Sequence, residues 1–114
     1  MIAGVRVLAA QVDEGDPKAL RRYGDMMQDR LGSGIIVCAS APSAGKVLLL
    51  CMVSSDLAGT FPAGSIIKEI APVVGGRGGG KAEMAQAGGA LPDRIPEALE
   101  RACAVIEQMG GAAG

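Results

Sequence analysis

The chain has 114 residues, room for one domain, and its 49% apolar content is enough to bury a core. Its formal net charge of −1 argues against a nonspecific binder of nucleic acid, which carries a strong positive excess. The sequence has Phe61 and Tyr23 as its lone aromatics and no histidine. That argues against base stacking on aromatic platforms and excludes histidine triads, histidine-ligated zinc and imidazole acid–base catalysis.

In chain order, Val5, Val7 and Ala9 alternate with Arg6 and Leu8, which predicts a strand over residues 4–12. The opening stretch lacks a basic segment and meets Asp13 and Glu14 early, so no signal peptide is read. Asp16 followed by Pro17 marks an N-cap with proline at the first helical position. Leu20, Tyr23, Met27 and Leu31 then recur at helical spacing, and Gly32 ends the helix. Arg21, Arg22 and Arg30, with acids interspersed, read as its solubilising face, and Met26, Met27, Met52 and Met84 as core filler.

Residues 35–39 and 47–53 are continuous apolar runs joined by the turn-rich APSAG. They predict a strand pair covered by helices on both faces. The run over 47–53 is too short to span a bilayer, so a soluble, cytoplasmic protein without membrane contact is expected. Cys38, Cys51 and Cys103 are odd in number, lack CxxC spacing and lie in apolar runs, which predicts buried reduced thiols. Residues 55–63 read as a loop. Ile66, Ile67, Ile70, Val73 and Val74 predict a short helix that Pro72 kinks or stops. A glycine-rich loop follows, then a short strand or turn over 84–87. Residues 92–109 predict a second strong helix with Ile95, Leu99, Cys103, Ile106 and Met109 on one face, and the final GGAAG should fray. The order β-α-β-β-α-loop-β-α predicts one small α/β (α+β) domain, a mixed sheet of four to five strands with packed helices.

The informative run is GGRGGGKAEMAQAGG, residues 75–89, in which seven of fifteen residues are glycine. Gly75, Gly80 and Lys81 satisfy G-x4-G-K of a phosphate-binding P-loop, but Ala82 stands where a hydroxyl must meet magnesium. Gly76 and Gly78 begin a dinucleotide fingerprint whose third glycine is replaced by Lys81. Two readings of the run remain. The glycines turn the chain between packed elements, or they let a polynucleotide approach the backbone closely. In the second, the amides of Gly75, Gly76, Gly78, Gly79 and Gly80 and the guanidinium of Arg77 meet phosphates. Lys81 adds a point charge, Gln86 meets a ribose or base edge, and Lys68 extends the patch from the preceding helix.

The same run resembles the signature of the DHHA1 domain family, found at the C-terminal end of alanyl-tRNA synthetase as its C-Ala domain. The MAQAGG tail, residues 84–89, is the more specific part. KAL (18–20), DRLGSG (29–34), VSSDLAG (53–59), AGSIIKEIA (63–71) and the final helix extend the resemblance over nearly the whole chain. Related phosphoesterases carry a histidine-containing glycine motif, which this chain lacks. The resemblance implies a DHHA1-like fold and a noncatalytic domain that grips the elbow of tRNA(Ala), assisting aminoacylation and editing. It implies an excised piece of a larger enzyme whose ATP, magnesium and zinc belong to other domains, with no cofactor here. Two further roles stay open: a dimerisation or interaction module contacting a second copy or other domains of the parent synthetase, and an accessory domain of a DHH-type phosphoesterase. The chain departs from the family pattern at Ser55, where lysine is common, at Ala82-Glu83, where Pro-Asp is common, and at Pro72.

Overall fold

Asp16 caps the first helix through its Oδ1, which accepts from Ala19 N at 2.8 Å, and Pro17 takes the position where a missing amide costs nothing. The computed structural model describes residue 2 and residues 4–113. This helix, α1 (Pro17–Leu31), ends at Gly32, whose φ of 74° is open to glycine and whose amide returns to Gln28 O. Strand β1 (Val7–Gln11) is shorter than the alternation predicts, because Ile2 and Val5 close a tight turn on each other first. Met26 is the exception to the methionine expectation: it is exposed rather than core.

Strands β2 (Ile35–Ser43) and β3 (Lys46–Val53) form the predicted pair, but the connector is shorter than expected. Ser43 pairs with Lys46, so the turn is Ala44 and Gly45 alone, with Gly45 at φ 70°. The register shifts between Ser40 and Ser43 around Pro42, so most of APSAG is strand built over an irregularity that tolerates proline. Helix α2 (Ala63–Ile70) stops short of Pro72, as proline requires, and continues as a 3₁₀ turn (Ala71–Val74).

The main correction lies in the glycine run. Instead of an open loop it forms strand β4 (Arg77–Gly80), which pairs antiparallel with β5 (Met84–Gly89). A short 3₁₀ turn (Pro92–Arg94) leads into α3 (Ile95–Ala113). Of the tail expected to fray, residues 110–113 continue that helix, and Gly114 lies outside the described residues. The five strands take the order β1-β2-β3-β5-β4, parallel at β1–β2 and antiparallel elsewhere, an α+β fold.

Alternate side chains of β2 and β3 serve two cores, which is why both strands read as unbroken apolar runs. Ile36, Cys38, Leu48, Leu50 and Met52 meet Leu20 of α1 on one face. Ile35, Val37, Leu49 and Cys51 meet Ile66, Ile67 and Ile70 of α2 and Ile95, Ala102 and Ile106 of α3 on the other. Gly24 lets α1 settle on the sheet, since a Cβ there would come within 2.6 Å of Leu50 Cδ2 and 2.7 Å of Met52 Sδ.

Cys38 and Cys51 are buried and free on opposite faces, whereas Cys103 is only half-buried, contrary to the expectation for all three. Burial pushes the Cys38 thiol up to about 12, and burial together with the nearby Cys38 raises Cys51 further. Both therefore stay protonated and unreactive at neutral pH. The stabilisation from keeping Cys38 neutral is fully present below the ordinary thiol value of 9.0 and is lost as pH rises through the folded value. Titration with an aromatic disulfide reagent at pH 8 should find one accessible thiol, Cys103, in the folded protein. The other two should appear only when urea unfolds it. Two thiols reacting at native rates would contradict this burial.

Candidate nucleic-acid interface

Hairpin β4–β5 carries most of the predicted site residues, and its register decides where they point. Gln86 pairs with Gly79 on one side and with Leu50 on the other, and Leu50 belongs to the core under α1. Gln86 therefore projects on the α1 side of the sheet, while Ala85, its neighbour, is buried under α2. Arg77, two residues before Gly79, shares that side. Helix α1 packs on β2 and β3, so the hairpin's α1 side is left open. One cleft there, of about 350 Å³, has Arg77 and Gln86 opposite Pro17 and Leu20. A second, of about 670 Å³, has Gly79, Lys81 and Gln86 opposite Arg21.

The opposite side of the hairpin is closed by α2. A Cβ on Gly64 would come within 2.6 Å of Gly80 O, so helix and edge strand touch backbone to backbone. The amides of Gly64 and Ala63, at the start of α2, donate to Lys81 O and Ala82 O, which caps the helix with the hairpin turn. Lys68, on α2, reaches the same edge, its Cε 3.5 Å from where a Cβ on Gly79 would stand.

The glycine amides are less available than an open loop would make them. Gly75 N donates to Pro72 O and Gly76 N to Ala71 O, which removes both as free donors, and Lys81 N donates to Met84 O. Antiparallel alternation counted from that last bond turns Gly79 and Arg77 toward β5 and leaves the Gly78 and Gly80 amides on the outer edge. Gly75, at φ 71°, ends the 3₁₀ turn. Because a strand rather than a helix follows Gly75 and Gly76, the P-loop geometry is absent from this segment.

Arg77, Lys81 and Lys68 are exposed. Among the described residues, these cations pair with none of the acids. The ion pairs among the described residues are Arg94–Glu97 at 3.0 Å and Arg101–Glu69 at 3.3 Å. Arg101 occupies Glu69, the acid next to Lys68. Glu83, in the hairpin turn, borders the larger cleft without an ion pair among the described residues.

The structure adds Arg21, which sequence reasoning assigned to a solubilising face. It lies one turn before Gly24, one of the residues through which α1 packs on the sheet, and no local signal in the sequence places it beside the hairpin. A second polar cluster is structural. Ser33 Oγ donates to Asp56 Oδ2, and Ser54 Oγ accepts from Gly34 N at 3.0 Å. Hydrogen bonds from Ser33 and then Ser54 hold the Asp56 carboxyl below its ordinary range. The cluster pins the VSSDLAG segment to the start of β2.

Comparison with known proteins places this arrangement. The DHHA1 domain family matches residues 4–108. The alanine–tRNA ligase of Desulfosudis oleivorans is 48% identical over 103 residues, 90% of this chain and 12% of that protein. That of a Roseiflexus species is 46% identical over 111 residues, 96% of this chain and 12% of its own length. The chain thus spans about an eighth of these relatives. The crystal structure of the C-Ala domain from Aquifex aeolicus alanyl-tRNA synthetase superposes with a TM-score of 0.86 at 28% identity, covering 94% of this chain and 96% of that one. A DHH-domain structure from a ribosomal-protein family member shares the fold, with a TM-score of 0.61 at 18% identity. The match from residue 4 to residue 108 leaves little of the sequence outside it, and the chain belongs to the DHHA1 domain family.

Proposed function

We propose that this chain is a noncatalytic tRNA-binding domain of an alanyl-tRNA synthetase, docking on the tRNA elbow and assisting aminoacylation and editing by the parent enzyme in the cytoplasm. On this reading the partner is tRNA(Ala), together with other domains of the synthetase. The ligation chemistry, with its ATP, magnesium and zinc, belongs to those domains. One observation carries the proposal: Arg77 and Lys81 stand exposed on a glycine hairpin with no carboxylate of the chain paired to them among the described residues. Exposed cations beside a side-chain-free backbone suit ribose-phosphate, and Gln86 supplies both a donor and an acceptor in the adjoining clefts. Few phosphates are met, so binding is weak and salt-sensitive. The test follows labelled tRNA(Ala) by anisotropy at two salt concentrations. Arg77→Ala with Lys81→Ala should weaken binding roughly 30-fold and reduce the salt slope by about two. Binding unchanged in the double variant would remove this surface from the interaction.

A further inference from the structure

We propose that α1 supplies a second wall to the RNA-binding site, with Arg21 as its phosphate contact, so that one or two nucleotides of RNA lie in the cleft between helix and hairpin rather than across the hairpin alone. The inference rests on the tRNA-binding reading above and says where on this fold the nucleic acid is held.

Three observations carry it. Arg21 faces Gly79, Lys81 and Gln86 across about 670 Å³ of open space, a volume suited to a nucleotide-sized group. It is exposed, and it makes no ion pair among the described residues although Asp25 lies one helical turn along and Glu83 borders the same cleft. The helix that carries it is also firmly seated, because Gly24 brings α1 against Leu50 and Met52 one turn later. A guanidinium held over a floor of peptide groups grips a phosphate bidentately, while Lys81 meets the charge from the hairpin side.

The charge of the groove adds a direction. Past Arg21 it continues between Gln28, Asp29 and Gly32 on one side and Ser55 and Glu83 on the other. Arg21 and Glu83 border both stretches, so the charges that distinguish them are Asp29 at this end and Lys81 and Arg77 at the other, and a polyanion is drawn toward Lys81 and Arg77. Arg22, the next residue on α1, is exposed but borders none of these clefts. It gives an internal control of equal charge.

The experiment compares Arg21→Ala, Arg21→Lys and Arg22→Ala by tRNA(Ala) anisotropy over a salt series, with a urea midpoint for each. Arg21→Ala should weaken binding about tenfold and lower the salt slope by about one, with the urea midpoint unmoved. Arg21→Lys should recover part of the affinity, since the charge returns without the planar fork. Arg22→Ala should bind as the parent does. Unchanged binding in Arg21→Ala overturns the second wall while leaving the hairpin site intact, provided the Arg77 and Lys81 double variant still loses affinity. Equal losses in Arg21→Ala and Arg22→Ala overturn it in favour of diffuse charge. A parent chain that fails to bind tRNA overturns the functional reading and this inference together.

Discussion

Gly76→Ala is expected to destabilise the fold by about 4 kcal/mol and to open the β4–β5 hairpin at moderate urea. A Cβ at this position would overlap the Gly88 carbonyl oxygen and crowd Gly89 Cα, all of it backbone. A flexible side chain can swing away from such an intrusion. A peptide unit inside a ladder cannot, because moving it breaks the pairing of Arg77 with Gly88. The amide of Gly76 is also tied to Ala71 O, and Ala90 N and Leu91 N both converge on Val74 O beside it. The strand start is thus held on both sides, and the overlap must be relieved by separating β4 from β5. Urea unfolding followed by circular dichroism checks the prediction, with Gly88→Ala as the comparison. The nearest atom to a Cβ there is Val47 O at 3.9 Å, so that variant should lose far less. Equal midpoints for the two variants would mean that the approach at Gly76 is not structural.

That contrast shows which parts of this molecule can be read in its residues. The first helix was legible because each signal is local: a capping aspartate, a proline one residue later, and a glycine at the end. The two central strands were legible because burial on both faces leaves an unbroken apolar run. Strand β4 was hidden for the opposite reason. RGGG has no side-chain alternation, and glycine disfavours strands intrinsically, so local preference pointed to a loop. What makes it a strand is tertiary: β5 pairs along one edge and α2 lies against it, close enough that only hydrogen fits at Gly64. The family signature located the candidate site in the chain, yet the same residues serve two ends. Gly76, Gly78 and Gly80 are close-contact positions, whereas Gly79 meets only the far end of Lys68. Arg21 was missed because helical spacing places it among charged neighbours, and only the seating of α1 on the sheet turns it toward the hairpin.

Gly64→Ala should cost about 3 kcal/mol, lowering the melting temperature by roughly 10 °C, and, on the proposed function, weaken tRNA binding in the variant that remains folded. The added methyl would lie 2.6 Å from Gly80 O, 3.2 Å from Gly80 C and 3.4 Å from Gly80 N. Helix α2 has little freedom to retreat, since Ala63, Ile66, Ile67 and Ile70 are all fully buried in the larger core. The strain therefore falls on β4, which has a partner strand on one edge only. Moving β4 outward lengthens the bonds from Ala63 N to Ala82 O and from Gly64 N to Lys81 O, so the hairpin turn shifts away from the cleft. Gly24→Ala is a comparison for stability alone, since Gly24 also seats the helix that carries Arg21. The Cβ of that variant meets only the ends of Leu50 and Met52 side chains, of which methionine adapts readily, and it should cost about 1 kcal/mol. If the hairpin's position governs binding, affinity follows the Gly64 variant down at temperatures where it is still fully folded. Affinity that stays at the parent value there would mean that the hairpin's position does not govern binding, and that the close contact between α2 and β4 serves stability alone.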